Sequence, residues 1–235
     1  MWTLVTGGAK RLGAALCLSL AEKGRSVVVH YNHSCDAALE VVAQCQAKGV
    51  RAEAIQGDFS NIENVKEFSD RFLQKFPETE ILINNVGEYL IRSALKTSIE
   101  EWTNLFQTNL HTPFLLTQSL APSLLKNKGQ VINIGVNGLH RFKAKSYATA
   151  YMLTKQGLWG LTLALAHEWA PHGVRVNMVS PGELDISVDH QSLPMQRPAT
   201  CGEVCRVVNF LLDPESGYIT GQNIEVAGGL GLGSN

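Results

Sequence analysis

The sequence predicts an α/β fold, a doubly wound, seven-stranded parallel sheet with helices on both faces. Three observations carry this. Short β-branched runs alternate with longer stretches of helical period, a glycine-rich turn follows the first run directly, and no internal repeat, low-complexity tract or linker interrupts the alternation. At 235 residues the chain can bury a substantial apolar core, and one domain over residues 1–235 is expected.

In chain order, strands are expected at Trp2 to Thr6, Ser26 to Tyr31, Ala52 to Gln56, Glu80 to Asn84, Gln130 to Ile134, Arg175 to Ser180 and Asn223 to Ala227. Helical period fills the intervals at Arg11 to Lys23, Asp36 to Lys48, Asn61 to Lys75, Ile99 to Lys126, Thr149 to Ala170 and Gly202 to Leu212. Parallel neighbours need a crossover between them, and a helix supplies it. The segment Gly182 to Thr200 lacks clear period and carries Pro194 and Pro198. It follows a strand, so it falls at the carboxyl edge of the sheet, where ligands bind in such folds, and it is read as the loop closing over substrate.

Composition narrows the partners. With 20 basic and 21 acidic residues the formal net charge is -1, so no global field favours nucleic acid or an anionic membrane. The cysteines Cys17, Cys35, Cys45, Cys201 and Cys205 are odd in number and lack metal-ligand spacing, which points to a reduced protein without a metal. Cys201 and Cys205 share a helical face but have no third ligand. Met1 to Thr6 shows no export-signal pattern. No apolar run approaches the roughly 20 residues of a membrane span, and a cytoplasmic location is expected.

The turn Thr6-Gly7-Gly8-Ala9-Lys10-Arg11-Leu12-Gly13 leads from strand into helix. Glycines let the backbone approach a pyrophosphate, and the helix start offers free N–H groups at a positive dipole end, so a dinucleotide site is expected. An NAD-selective site usually ends its second strand on a carboxylate that holds the ribose hydroxyls. Here that stretch reads Tyr31-Asn32-His33-Ser34, with no carboxylate to repel a 2′-phosphate. Lys10, Arg11, His33 and Ser34 are placed to bond one, so NADPH is favoured over NADH.

Tyr151 and Lys155 lie four apart near the start of a long helix and therefore share a face. A phenol titrating near pH ~10 is a poor proton donor or acceptor at neutral pH, and an adjacent cation lowers it. Tyr151 is thus a candidate proton donor to a carbonyl or imine.

Taken together, these motifs resemble the short-chain dehydrogenase/reductase family over essentially the whole chain. Thr6 to Gly13 resembles its glycine turn, with Arg11 in place of the middle glycine. Asp58, beside Phe59, matches the adenine-contacting aspartate, and Asn84-Asn85-Val86-Gly87 resembles the family's N-N-A-G. Asn109 matches the helical asparagine that orders a proton-relay water. Tyr151 and Lys155 match its Y-x-x-x-K, Pro181-Gly182 the turn beside the nicotinamide, and Ile219-Thr220-Gly221 with Gly228-Gly229 its closing signature. The resemblance implies NADPH as coenzyme, Tyr151 as general acid/base, Lys155 holding the ribose and lowering the phenol pKa, a small-molecule substrate and assembly as a homotetramer. It also suggests that His167 and Trp169, on the Tyr151 helix, pack between subunits.

One family feature is missing. The serine expected after the fifth strand falls in Asn133-Ile134-Gly135-Val136-Asn137-Gly138-Leu139, which has no hydroxyl. Counting back from Tyr151 gives Gly138, and aligning the strand end gives Val136. Asn137, Ser146 and Tyr147 are candidate replacements. Arg11, His30-Tyr31 and Ser34 resemble the pteridine reductase branch, in which an aromatic at the place of Tyr89 stacks on the pterin, but that branch's aspartate before the tyrosine is absent. A 3-oxoacyl-carrier-protein reductase shares every coenzyme motif and is the alternative. His140, Arg141, Lys143 and Lys145 form a basic loop beside the site. A reading of another class, a coenzyme-binding sensor or scaffold with weak chemistry, is motivated by the missing hydroxyl.

Overall fold

The computed structural model describes residues 1–140, 146–185 and 193–232. Arg141, Lys143 and Lys145 of the basic loop, and residues 186–192 of the expected substrate loop, lie outside them. Seven parallel strands form one sheet in the order β3-β2-β1-β4-β5-β6-β7. They are β1 (Trp2–Val5), β2 (Ser26–Tyr31), β3 (Ala52–Gln56), β4 (Thr79–Asn84), β5 (Gln130–Ile134), β6 (Arg175–Pro181) and β7 (Asn223–Val226). The order reverses between β1 and β4, and that switch point opens a crevice at the strands' carboxyl ends.

Helices α1 (Arg11–Glu22), α2 (Cys35–Gln46) and α7 (Cys201–Leu212) cover one face, with Leu16, Leu20, Val41, Val208 and Leu211 buried against Val27, Val29, Ile81 and Ile83. Helices α3 (Ile62–Lys75), α5 (Thr112–Lys126) and α6 (Thr149–Trp169) cover the other, over Leu4, Val28, Leu82 and Val131. Successive strand residues point to opposite faces, so continuous apolar runs such as Val27-Val28-Val29 feed both cores at once. Trp169 packs inside this second core at 6% exposure, which corrects the expectation that it packs between subunits; its position continues the buried Thr162 and Ala166 row of α6.

Expected strands and helices appear within one or two residues of their predicted bounds, with one substantive difference. The stretch predicted as one helix from Ile99 to Lys126 is three pieces: α4 (Ile99–Phe106), a π-helical turn (Gln107–His111) and α5. The Thr112 N–H reaches back five residues to the Gln107 carbonyl, the wider π spacing, and the Thr112 hydroxyl donates to the same carbonyl at 2.9 Å. None of the described helices is long and apolar enough to cross a membrane.

Candidate active site

Three helices begin with side-chain caps: Asn61 on α3, and capping boxes of Ser98 with Glu101 and Thr200 with Glu203 on α4 and α7. Helix α1 has neither a side-chain cap nor an acidic residue in its first turn. Its leading N–H groups therefore face the crevice at a positive dipole end, which fits the pyrophosphate of a dinucleotide. A Cβ on Gly13 would overlap the Gly7 carbonyl oxygen, so glycine alone permits this close return of the chain. Gly7 and Arg11 adopt left-handed backbone at φ +64° and +50°. The turn thus holds an arginine in a conformation that favours glycine.

Two neighbours lock the turn. The Thr6 hydroxyl accepts the N–H groups of Asn85 (2.9 Å) and Val86 (3.0 Å), while the Asn85 amide donates to the carbonyls of Thr6 (2.9 Å) and Gly7 (3.3 Å). The Asn85-Val86-Gly87 turn and the glycine turn are therefore one hydrogen-bonded unit. On the other side His30 accepts the Gly7 N–H at Nδ1, 3.0 Å away, so its proton sits on Nε2 and is donated to the Gly57 carbonyl at 3.0 Å. The imidazole stacks on Phe59 at 4.2 Å between centroids, and burial lowers its pKa from 6.5 to about 4. Phe59, beside Asp58, buries its ring in the core, and its carbonyl accepts from the Gln107 amide at 3.3 Å.

A main-chain bond from Gly8 N–H to the His30 carbonyl (2.8 Å) sets the end of β2 beside the turn. Tyr31, Asn32, His33 and Ser34 follow at the end of β2, and Lys10 and Arg11 in the glycine turn are exposed. Asp58 accepts from Ser60 N–H (3.0 Å), the Ser60 hydroxyl (2.9 Å) and the Asn64 amide (3.2 Å), with Asn32 at 3.5 Å. Its carboxylate fixes the loop after β3 along the same rim.

The candidate reacting centre lies where α6, the π-helical turn and the Gly87 turn converge. Lys155, 4% exposed, donates from Nζ to the Ile134 carbonyl at 2.9 Å and stands 5.9 Å from the Tyr151 ring centroid. Burial lowers its pKa from 10.5 to about 8. The Tyr151 phenol is pushed well above its usual value, by burial first and by Tyr89 second. In the protein alone, then, burial outweighs the lowering expected from the nearby ammonium. Asn109 is fully buried: Oδ1 accepts the Glu88 N–H (2.8 Å), and Nδ2 donates to the Glu88 carbonyl (2.9 Å) and the Thr154 hydroxyl (3.2 Å). A Cβ on Gly87 would stand 3.3 Å from both Asn109 Oδ1 and Lys155 Nζ. The asparagine, expected to order a water, commits its side chain to holding this turn.

Tyr89 sets its ring 4.6 Å from that of Tyr151, edge to face, and remains 59% exposed. Burial, Tyr147 and Glu183 raise its phenol pKa. Val136, at the aligned position of the missing serine, packs against the Leu139, Leu158 and Met178 cluster together with Met152. Asn137 is buried, and its N–H donates to the Pro181 carbonyl at 3.0 Å. Ser146 and Tyr147 are exposed. Gly182 donates to the Val226 carbonyl (3.0 Å), and a Cβ on it would meet Ala227 at 2.9 Å.

Sequence reasoning missed several residues that shape the site. The Thr6 hub and the His30 lock leave only weak traces, a threonine before a glycine turn and a histidine in a valine strand. A buried polar chain runs from Asn84 to Asn133 (2.8 Å) and on to Thr162 (2.9 Å), joining β4, β5 and α6 beneath the centre. Among the described residues no group of histidine, cysteine or acidic side chains is arranged to hold a metal.

A doubly wound sheet, an uncapped glycine turn at its switch point and a half-buried tyrosine beside a buried lysine together define a dinucleotide-binding oxidoreductase of α/β type. The short chain dehydrogenase family model matches residues 1–197, and the chain belongs to that family. It is 35% identical to a 3-oxoacyl-acyl-carrier-protein reductase of Synechocystis over 97% of this chain and 95% of that protein. It is 31% identical to the Staphylococcus epidermidis enzyme of the same name, over 97% of both. Among solved structures, acetoin dehydrogenase from Enterobacter cloacae superposes with a TM-score of 0.91 at 28% identity, covering 99% of this chain and 96% of that one. A metagenomic blue fluorescent protein in complex with NADPH gives 0.90 at 27% identity, over 98% and 97%.

Proposed function

We propose that the protein is an NADPH-dependent reductase of a carbonyl or pterin-like C=N substrate, with Tyr151 as proton donor. The observation that carries this reading is the convergence of Tyr151, Lys155 and the Asn109-pinned turn on one point beside the glycine turn. Bound NADPH supplies the hydride. Gly7, Leu12 and Gly13 with the start of α1 would hold its pyrophosphate, and Lys10, Arg11, Tyr31, Asn32, His33 and Ser34 the 2′-phosphate region. Asp58 and the Phe59 backbone would line the adenine side, and Asn85, Val86, Gly87, Pro181 and Gly182 the nicotinamide side. Lys155 would bond the ribose, and its ammonium, 5.9 Å from the Tyr151 ring, would draw the phenol back toward neutral pH. As hydride reaches carbon, Tyr151 Oη gives its proton to the substrate oxygen or nitrogen. Tyr89, and residues Val136 and Asn137, would contact the substrate.

Reduction of a 3-oxoacyl thioester on a carrier protein is the second reading, favoured by the two relatives of that name. Val136 counts against it, because a thioester ketone loses the second hydrogen bond to its oxygen. Outer α5 and α6 positions Phe114, Leu153 and Leu163 remain exposed, in keeping with assembly as a cytoplasmic homotetramer.

The test is NADPH oxidation against a dihydropterin, an acetoacetyl thioester and a diketone, with Tyr151→Phe as control. Tyrosine-dependent turnover of one class establishes the reductase and its substrate type. Tight NADPH binding without turnover of any establishes the sensor reading instead.

A further inference from the structure

The loop that lacks the serine is anchored in an unusual way. Gly135 and Asn137 extend the ladder onto β6, donating to Val179 (2.8 Å) and Pro181 (3.0 Å). At Gly138 the chain turns away at φ +88° and leaves that ladder. Its N–H is taken instead by a carboxylate from a different strand: Glu225 Oε1 on β7, at 2.6 Å. Because β6 lies between β5 and β7, Glu225 reaches across the end of a whole strand to do this. The register leaves room. Ser180, small, is paired with Glu225, and a Cβ on Gly135 would overlap Ser180 Oγ, so nothing larger than glycine fits on that row. A second bond between His140 and the Asn223 carbonyl (3.2 Å), with His140 edge-on to Trp159 at 5.6 Å, ties the same loop to β7 and α6.

We infer that Glu225 is a positioning residue for the reaction, clamping Gly138 so that Val136 and Asn137 are held at a fixed height beside Tyr151. The inference rests on the reductase reading above. A charge-assisted hydrogen bond from carboxylate to backbone N–H is shorter and stronger than a neutral one. It stands two residues from Val136 and one from Asn137, the pair that occupies the place of the family's serine. The edge strand β7 is thereby coupled to the reacting centre, although Glu225 touches no reacting atom.

The experiment compares wild-type protein with Glu225→Ala and Glu225→Gln, as full chains, by two readouts. One is amide hydrogen exchange across residues 135–140; the other is kcat and KM on the best substrate of the panel, with NADPH affinity measured separately. Expected for Glu225→Ala is faster exchange at Gly138 by about fivefold or more and a kcat about tenfold to a hundredfold lower, as an ångström-scale misplacement produces. NADPH affinity stays within about twofold, since the glycine turn is untouched. Glu225→Gln, which keeps a carbonyl acceptor, recovers most of both. Unchanged exchange in Glu225→Ala overturns the clamp. Faster exchange with unchanged kcat overturns its part in catalysis, and Gln no better than Ala overturns the hydrogen bond as the cause. A wild-type protein that turns over nothing overturns the reductase reading and the catalytic consequence together, while the exchange data still report the clamp.

Discussion

His30 Nδ1 accepts the N–H of Gly7 at 3.0 Å, so the glycine turn is held by an imidazole that must be neutral. Protonation would place an N–H against the Gly7 N–H and break the lock. The folded pKa, about 4, lies below the unfolded value of 6.5. The stabilisation is therefore complete above pH ~6.5 and is lost as pH falls toward and through 4, by roughly 3 kcal/mol in total. Urea midpoints measured from pH 7.5 to 4.5 are expected to fall steeply for wild type. Those of His30→Gln, which keeps polar contacts without titrating, should start lower and fall less. Parallel curves would remove His30 from this account.

Arg11 occupies left-handed backbone at φ +50°, where glycine is at ease and other residues are strained. Arg11→Gly is therefore expected to raise stability by about 1 kcal/mol. The same change deletes a cation beside the proposed 2′-phosphate, worth about 1.5–3 kcal/mol in a charge-assisted bond. NADPH should bind at least about tenfold more weakly while NADH affinity barely changes. Calorimetric titration with both coenzymes, next to thermal unfolding, separates the two effects. Equal weakening of both coenzymes would contradict the NADPH assignment.

Burial sets the Lys155 ammonium to titrate near pH 8. The charge is present below that pH and lost above it, and with it the field on Tyr151 and the charge assistance of the proposed bond to ribose. The kcat/KM profile should therefore turn down above about pH 8. Tyr151→Phe should lower kcat by about 10² to 10⁴ at every pH while NADPH binding persists. A profile flat to pH 10 would mean that Lys155 does not titrate in the working range.

Much of the architecture was legible because its signals are local. Continuous valines mark a strand buried on both faces, helical period marks the crossovers, and Tyr151 with Lys155 is fixed by spacing along one helix. What escaped depends on contacts far apart in sequence. The π-helical turn at Asn109 has no composition signature, since Gln107 to His111 continues the helical pattern and its widened path lies in the backbone bond from Thr112 N–H to the Gln107 carbonyl. Thr6 meets Asn85 across 79 positions, and Gly138 meets Glu225 across 87. Nor does the sequence show which effect governs Tyr151: the adjacent lysine is visible in spacing, whereas the burial that outweighs it exists only in the folded chain.

Val136, which aligning the strand end puts in the place of the family's serine, is apolar and packs with Met152, Leu158 and Met178. A ketone oxygen bound as proposed would have Tyr151 as its donor and no hydroxyl partner from position 136. Restoring the hydroxyl with Val136→Ser should raise kcat on a diketone or acetoacetyl thioester by about tenfold to a hundredfold, the scale on which removing one such donor acts elsewhere. The loss of buried methyl groups should cost about 1–2 kcal/mol of stability. A pterin-like C=N substrate, which takes its single proton from Tyr151, should gain little. Steady-state rates for the two substrate classes, measured side by side on wild type and variant, give the ratio that decides. A rise for ketones alone marks Val136 as the residue that turns the site away from ketones. Equal change for both classes would mean that the substrate's reacting atom does not face position 136.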